Sequence, residues 1–399
     1  MLLKFFYIYG VGCGLVPAPL EEGKFLVGHS QRWYLIYTAC LHGVLLILMP
    51  FAFPQYMYEE SYMRSNSVLQ WAFNLTNITR IMAISSGGYM MWFKRRKLLR
   101  LGEQLLNHCQ KCKKVKGHST EYMKLRKRFQ IVLAQVFVVT NLSLLFGTLI
   151  LMEIDTGYGI IKGTMIVSHI SQYIYVIVMT AGVCVIFLVL QLQSERTLIA
   201  LKDLCSLLNH EERNSLVLTE SKSKKSLNKL RILFHHFAEN QLLLREVFET
   251  FDFPIAFLLL KLFVTNVNLV YHGVQFGNRT IETSLYTRVV GQCVIITHYW
   301  SASLLMNIVD NVTRRSGLKL GNILRRFSHM ELIKREFQLE LELFSDYLRC
   351  HRLTYKVCGL FVFNKQTSLV YFFYVLVQVL VLVQFDMKKK VDEAHLKVS

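Results

Sequence analysis

Few residues in this 399-residue chain stand in spacings that could do chemistry. Gly157, Gly159 and Gly163 are spaced GxGxxxG, but a dinucleotide site needs its glycines to close a strand-to-helix turn, and no strand pattern precedes them. They read as a turn. Cys109-Gln110-Lys111-Cys112, flanked by His108 and His118, is a single CxxC. Structural zinc normally takes a second ligand pair at matching spacing, and the neighbouring lysines oppose a cation. His272 and His298 find no third ligand type in helical register and read as core histidines with their hydrogen bonds met. The chain carries no Walker A sequence. No catalytic residue, metal or cofactor is therefore expected, and an enzyme is the class with least support.

Polar side chains set inside apolar blocks are the better candidates. The block VYFFYVLVQVLVLVQFDM, residues 370 to 387, holds Gln378 and Gln384 and no charge before Asp386. An amide in such a helix needs an interhelical hydrogen bond or water. The blocks themselves decide the class of protein. Hydrophobic residues make up 53% of the chain and charged ones 18%, with a mean hydropathy of +0.33. The apolar residues come in runs too long for the two-faced elements of a soluble core, which points to a membrane. The net charge of +19 fits this reading, because the basic residues lie between the apolar blocks instead of on one helix face, so a nucleic-acid partner is not expected. Nine cysteines without regular spacing give no disulfide framework. The opening MLLKFFYIYGVGCGLVPAP mimics a secretory signal, but Lys4 is its only basic residue and Gly10, Gly12 and Gly14 weaken a helical core, so cleavage is not expected.

A bilayer core takes about 20 apolar residues of helix. Spans are placed at 33 to 53, 67 to 93, 129 to 152, 165 to 192, 251 to 276, 286 to 308 and 367 to 386. The second is interrupted by Asn74, Asn77, Thr79 and Arg80, so it must face protein or water and not lipid. With Arg80 and Lys261 assigned to spans, and Arg288 at the start of the sixth span counted with the loop before it, 36 of the Lys and Arg residues fall on the side that holds the N-terminus and 8 on the other. The positive-inside rule then puts the N-terminus in the cytoplasm and the C-terminus outside. Asn278-Arg279-Thr280 is a glycosylation sequon in an outside loop, whereas Asn311-Val312-Thr313 falls inside.

The inside loops are long and patterned. Ile333, Phe337, Leu341, Phe344 and Leu348 make one helical apolar stripe. A helix on the membrane surface would show this, and so would spans that continue into the cytoplasm and pack as a collar, which is the preferred reading. Gly359 offers a left-handed helix stop, and Asn364 or Thr367 a cap for the last span. The organisation expected is all-α: residues 1–308 with helices 1 to 6 as a ligand-binding bundle, 309–366 as a cytoplasmic anchor, and 367–399 as the last helix with a short extracellular tail.

Val357-Cys358-Gly359-Leu360-Phe361, then Asn364, then an apolar helix ending in Gln384-Phe385, resembles the C-terminal signature of the insect gustatory receptors. That family commonly ends its last span in Thr-Tyr, five apolar residues and Gln-Phe. Here Val379 to Val383 are the five, Gln384-Phe385 match, and Val377-Gln378 replace Thr-Tyr. Tyr9-Gly10-Val11, Gly14-Leu15 and Pro17 are similar to the family's stretch before its first span.

The resemblance implies a multi-pass receptor in the plasma membrane of sensory neurons. It would be a cation channel of four subunits, homomeric or mixed with other gustatory receptors, opened by a small-molecule tastant. A bitter or other small organic compound is the default ligand. The last helix of each subunit would line the pore. Gln384 and Phe385 would form the constriction, Phe385 with nearby Val381 closing it by excluding water and Gln384 replacing part of an ion's hydration shell, with Val377 also among the pore and gate residues. Gln378, on nearly the same helix face as Phe385, is assigned first to an intersubunit or pore-to-bundle contact and second to the pore lining. Lys388, Lys389 and Lys390 must point away from the axis or toward lipid head groups. For the ligand, polar and aromatic residues in the outer halves of the spans are chosen: Asn74, Asn77, Gln172, Tyr173, Asn266, Tyr271 and Gln292. The rivals are an odorant receptor needing a co-receptor and a G-protein-coupled receptor, which requires the opposite orientation.

Overall fold

The computed structural model describes residues 2–21, 24–25, 29–52, 67–113, 119–152, 159–214, 220–277, 284–327, 334–351 and 354–398. Among them the chain is almost wholly helical. Helix α1 is Leu2–Gly12, α2 His29–Leu48 with a 3-10 turn Met49–Ala52, α3 Ser67–Phe93 and α4 Arg95–Lys113. Then follow α5 Ser119–Met152, α6 Gly159–Asn214, α7 Glu220–Gly277 and α8 Leu285–Asp310. A π-turn Asn311–Arg315 leads into α9 Ser316–Phe327, and α10 is Arg335–Cys350. The last helix, α11, is Lys365–Val398. Two short antiparallel hairpins, Leu20–Glu21 with Lys24–Phe25 and Lys356–Val357 with Phe361–Val362, complete the described chain.

All seven expected spans are helical in their described residues. Six described helices are long and apolar enough to cross a membrane. The exception is α3, whose polar residues do turn inward: Asn77, Thr79, Arg80 and Ser86 are buried. The sequon asparagine Asn278, Gly157, His118 and Ile333 lie outside the described residues.

Both α6 and α7 run far past the length a bilayer needs. Their extensions pack into a second core at the basic end of the molecule, built from Leu201, Leu204, Leu230, Phe237, Leu320, Phe327, Phe337, Leu341 and Phe344. Phe337, Leu341 and Phe344 of α10 are buried in this second core. Outside lipid, burying each such side chain stabilises by about 1.5–3 kcal/mol. Within the bilayer that driving force is absent, so close packing and polar contacts must hold the spans. The join between the regimes is the π-turn, where fully buried Asp310 pairs with Arg314 at 3.2 Å and Arg315 at 3.3 Å.

Gly359 does not end a helix, because α10 has already stopped at Cys350. Instead Cys358 (φ 46°) and Gly359 (φ 74°) are the central pair of the tight turn between the last two strands, closed by Leu360 N–H donating to the Val357 carbonyl at 2.9 Å. Two positive φ values in succession give a turn whose twist matches its strands. Asp252 of α7 holds this turn, accepting from the Cys358 N–H at 2.8 Å and the Tyr355 hydroxyl at 2.7 Å. Burial, then the adjacent carboxylate, raises the Tyr355 pKa, so its phenol stays a donor. Asn364 is the cap of α11, its side chain accepting from the Thr367 N–H at 2.9 Å.

Helix α11 is the least covered span. Only 11% of its apolar window is buried, against 72% for α6. Its contact with its own bundle runs along Tyr371, Val375, Val379, Leu382 and Val383, packed on Leu69 and Tyr271.

Candidate ligand site and pore helix

The centre of the bundle gathers ionisable groups from four helices. On α3, Arg80 is buried and its Nη2 donates to Asn77 Oδ1, one turn earlier, at 2.6 Å. On α7, Lys261 is 2% exposed, with its ammonium 5.3 Å from the Tyr173 ring of α6. Arg80 lies within electrostatic reach of both Lys261 and His169. His298 of α8 is 5.9 Å from Tyr173, ring to ring, and within reach of Lys261. The Lys261 ammonium, Arg80 Nε, both ring nitrogens of His169 and His298 Nε2 are buried without a hydrogen-bond partner among the described residues. No acidic side chain among those residues pairs with Lys261 or Arg80. Two neighbouring cations desolvated without an anion are costly, so this cluster is not a packing convenience.

Of the ligand candidates chosen from sequence, Asn77 and Tyr173 sit in this cluster. Tyr173 is positioned by donating to the Ser143 carbonyl at 2.9 Å and by Gly147, where a Cβ would fall 2.3 Å from its ring. Gln172 turns away, donating to Ser168 Oγ at 2.9 Å. Asn266 is fully buried and donates to the Tyr371 hydroxyl of α11 at 2.8 Å. Tyr271 is buried against α11, Asn74 is half-buried on α3, and Gln292 is exposed and passes over Gly273 of α7. Sequence reasoning assigned Arg80 and Lys261 to spans but missed them, with His169 and His298, as site residues. Their signal was plain: a charge in mid-span is a functional candidate by default.

Helix α7 therefore links the cluster to the last helix. Besides Asn266, Gln275 Nε2 donates to Asp386 Oδ2 at 2.9 Å, and both groups are buried. On α11 itself, Val377, Val381, Gln384, Gln378 and Phe385 are all exposed in the single chain. At about 100° per residue they form two flanks, Val377, Val381 and Gln384 on one and Gln378 with Phe385 on the other. Lys389 is turned toward α3, its ammonium 3.0 Å from Ser67 Oγ, whereas Lys388 is exposed one turn beyond Gln384.

A cavity of about 1310 Å³ lies elsewhere, toward the basic end, lined chiefly by apolar residues of α1, α4, α5 and α6 such as Phe6, Leu98, Leu133 and Ile186. It shares no residue with the charged cluster.

A bundle of seven long helices with a buried polar centre and a lightly covered last helix is the architecture of a multi-pass membrane receptor. The sequence profile described as 7tm chemosensory receptor matches residues 3–389, and the chain belongs to this family. Gustatory receptor 58a of Drosophila melanogaster is 69% identical over 395 residues, covering 99% of this chain and all of that one. Gustatory receptor 58b of the same fly is 25% identical over 367 residues, covering 90% of this chain and 85% of its own. The solved olfactory receptor OR5 of Machilis hrabei, in complex with eugenol, has the same fold, with a TM-score of 0.68 at 14% identity over 96% of this chain and 98% of that one. A second solved structure of that receptor matches equally, at a TM-score of 0.68. The chain is accordingly a multi-pass chemosensory receptor of the gustatory kind and not an enzyme.

Proposed function

We propose that this receptor is a subunit of a four-subunit, weakly selective cation channel of sensory neurons, opened by a small organic tastant that carries an acidic group. The orientation is N-terminus inside, from the excess of Lys and Arg on that side. Residues 1–308 form the ligand bundle. Residues 309–366, with the basic-end halves of α6 and α7, anchor the assembly, and the bare face of α11 is covered by the other subunits around the pore.

One observation carries the reading. Helix α7 bears Lys261 in the cationic cluster and, five residues on, Asn266 bonded to Tyr371 of α11. A carboxylate entering beside Arg80 and Lys261 neutralises both, with the His169 and His298 ring nitrogens and Asn77 as further partners. Drawing α3, α6 and α7 together on that anion shifts Asn266 and Gln275, and α11 follows. The ligand stabilises whichever state closes the cluster, which is the open pore. Gln384, with Val377 and Val381 on its flank, meets the ion and replaces part of its hydration shell, while apolar rings exclude water when the pore is shut. Gln378 and Phe385 face the neighbouring subunit, and Lys388 sets an outer electrostatic brake on cation entry.

The test is expression alone in a cell line, with membrane current recorded across a panel of small carboxylates and their methyl esters. Cation current evoked by acids, weaker for esters and altered by Gln384→Ala, supports the proposal. Current that depends only on G-protein signalling sinks the channel. Current that appears only when an odorant co-receptor is added favours the olfactory alternative.

A further inference from the structure

The CxxC that sequence set aside takes a different form in three dimensions. The two cysteines of α4 take different partners. Cys109 meets the Gln193 side chain of α6, whose Nε2 lies 3.3 Å from its sulfur. Cys112 faces inward, 1% exposed, with His108 Nε2 3.5 Å from its Sγ. A third group, His236 of α7, closes the cluster, and one ligand atom from each of His108, Cys112 and His236 lies within 4.8 Å of the others.

The arrangement has the marks of a coordination site. Zinc–nitrogen and zinc–sulfur bonds of about 2.0 and 2.3 Å at a tetrahedral angle set a nitrogen-to-sulfur edge of about 3.5 Å, and the His108–Cys112 separation of 3.5 Å meets it. The His-x-x-x-Cys spacing puts both groups on one helix face. The other ring nitrogen of His108, Nδ1, is 3.2 Å from Glu239 Oε2, which places a carboxylate behind this histidine. His236 Nδ1 is buried without a hydrogen-bond partner among the described residues. The lysine that argued against a cation in the sequence, Lys111, is half-exposed and pairs with Glu239 Oε1 at 2.8 Å.

We propose that His108, Cys112 and His236 bind one zinc ion, with water at the fourth corner and Glu239 supporting His108. A set of two imidazoles and one thiolate suits a borderline-soft ion of tetrahedral preference. The metal ties α4, the helix that follows the α3 span, to α7, the helix that carries Lys261 and the bonds to α11. It thus clamps the basic end of the element that reports on the ligand cluster.

The experiment is metal analysis of the full-length receptor purified in detergent and equilibrated with buffered zinc, alongside cobalt substitution. One zinc per chain is expected, as is a thiolate-to-cobalt charge-transfer band. Cys112→Ser should lose the band, and His236→Ala should lose the metal. Glu239→Gln should retain the site but bind zinc about 10- to 100-fold more weakly. Cys109→Ser should keep both metal and band, which separates this site from a CxxC pair. Variants are compared only where size exclusion gives the wild-type profile, and Glu239→Gln is the one least disturbing to folding. Substoichiometric zinc in the wild type, a different metal retained in its place, or loss of the band in Cys109→Ser but not in Cys112→Ser would overturn the assignment.

Discussion

Lys261→Met separates a ligand-binding cation from a structural one, because the two roles move stability in opposite directions. In the resting receptor Lys261 is desolvated, has no acidic partner among the described residues and stands within reach of the Arg80 charge. Burying such an ion costs several kcal/mol, while the contact with the Tyr173 ring returns about 2 kcal/mol. Methionine keeps the length of the stem and removes the charge. The unliganded variant should therefore be more stable by about 1–3 kcal/mol, the difference of those two effects, read as a melting temperature raised by a few degrees in detergent. Its response to an acidic tastant should move the other way. Removing one partner of a buried charge pair costs about 2–5 kcal/mol, or about 30-fold to several thousand-fold in half-maximal concentration. Dose–response curves for carboxylates, set beside thermal unfolding followed by size exclusion, measure both. A variant that melts earlier and keeps its sensitivity to acids would refute the reasoning, since Lys261 would then be a packing residue.

Other outcomes follow from the same geometry. Gly147→Ala drives a methyl into the Tyr173 ring; a loss of about 1–3 kcal/mol is expected from overpacking, with weakened ligand response, whereas Gly182→Ala, with open space around its Cβ position, should leave both unchanged. Asp252→Ala strands the Cys358 N–H and the Tyr355 hydroxyl, and at about 1.5 kcal/mol or more for each bond to a charged acceptor the variant should lose about 3 kcal/mol, visible as a lower melting temperature and reduced surface expression. Cysteines at Val377, Val381 and Gln384 should react as a group with a charged thiol reagent applied during channel opening, and cysteines at Gln378 and Phe385 as a different group. Mixed patterns would place the pore on another face of α11. Asn266→Val combined with Tyr371→Phe should give a coupling energy of about 0.6 kcal/mol, the average for a hydrogen bond between membrane helices, in a double-mutant cycle on half-maximal concentration.

The membrane class, the number of spans and their approximate ends are written locally, because a bilayer demands a run of apolar residues and apolar runs are visible without a fold. The inward turn of α3 follows from the same logic, since Asn77 and Arg80 have no other place to go. The Asn364 cap is equally local, a contact over three residues, and so is the apolar stripe of α10. Gly359 shows the limit. Its left-handed conformation was legible, but whether it ended a helix or turned a hairpin depended on where α10 stopped and on Asp252, which holds Cys358 from 106 positions away. The charged cluster is tertiary in the same sense. Arg80, His169, Lys261 and His298 come from four helices, and only their convergence reveals that two basic side chains share one site with no acidic partner among the described residues. The cysteine motif makes the point most sharply. Sequence adjacency paired Cys109 with Cys112, whereas in the fold Cys109 meets Gln193 of α6 and helix packing brings His236 from α7 to the side of Cys112. Residue types and periods are properties of a segment, so the sequence carries them by itself. Which unlike charges, rings and sulfurs meet is decided by the packing of helices that lie far apart along the chain.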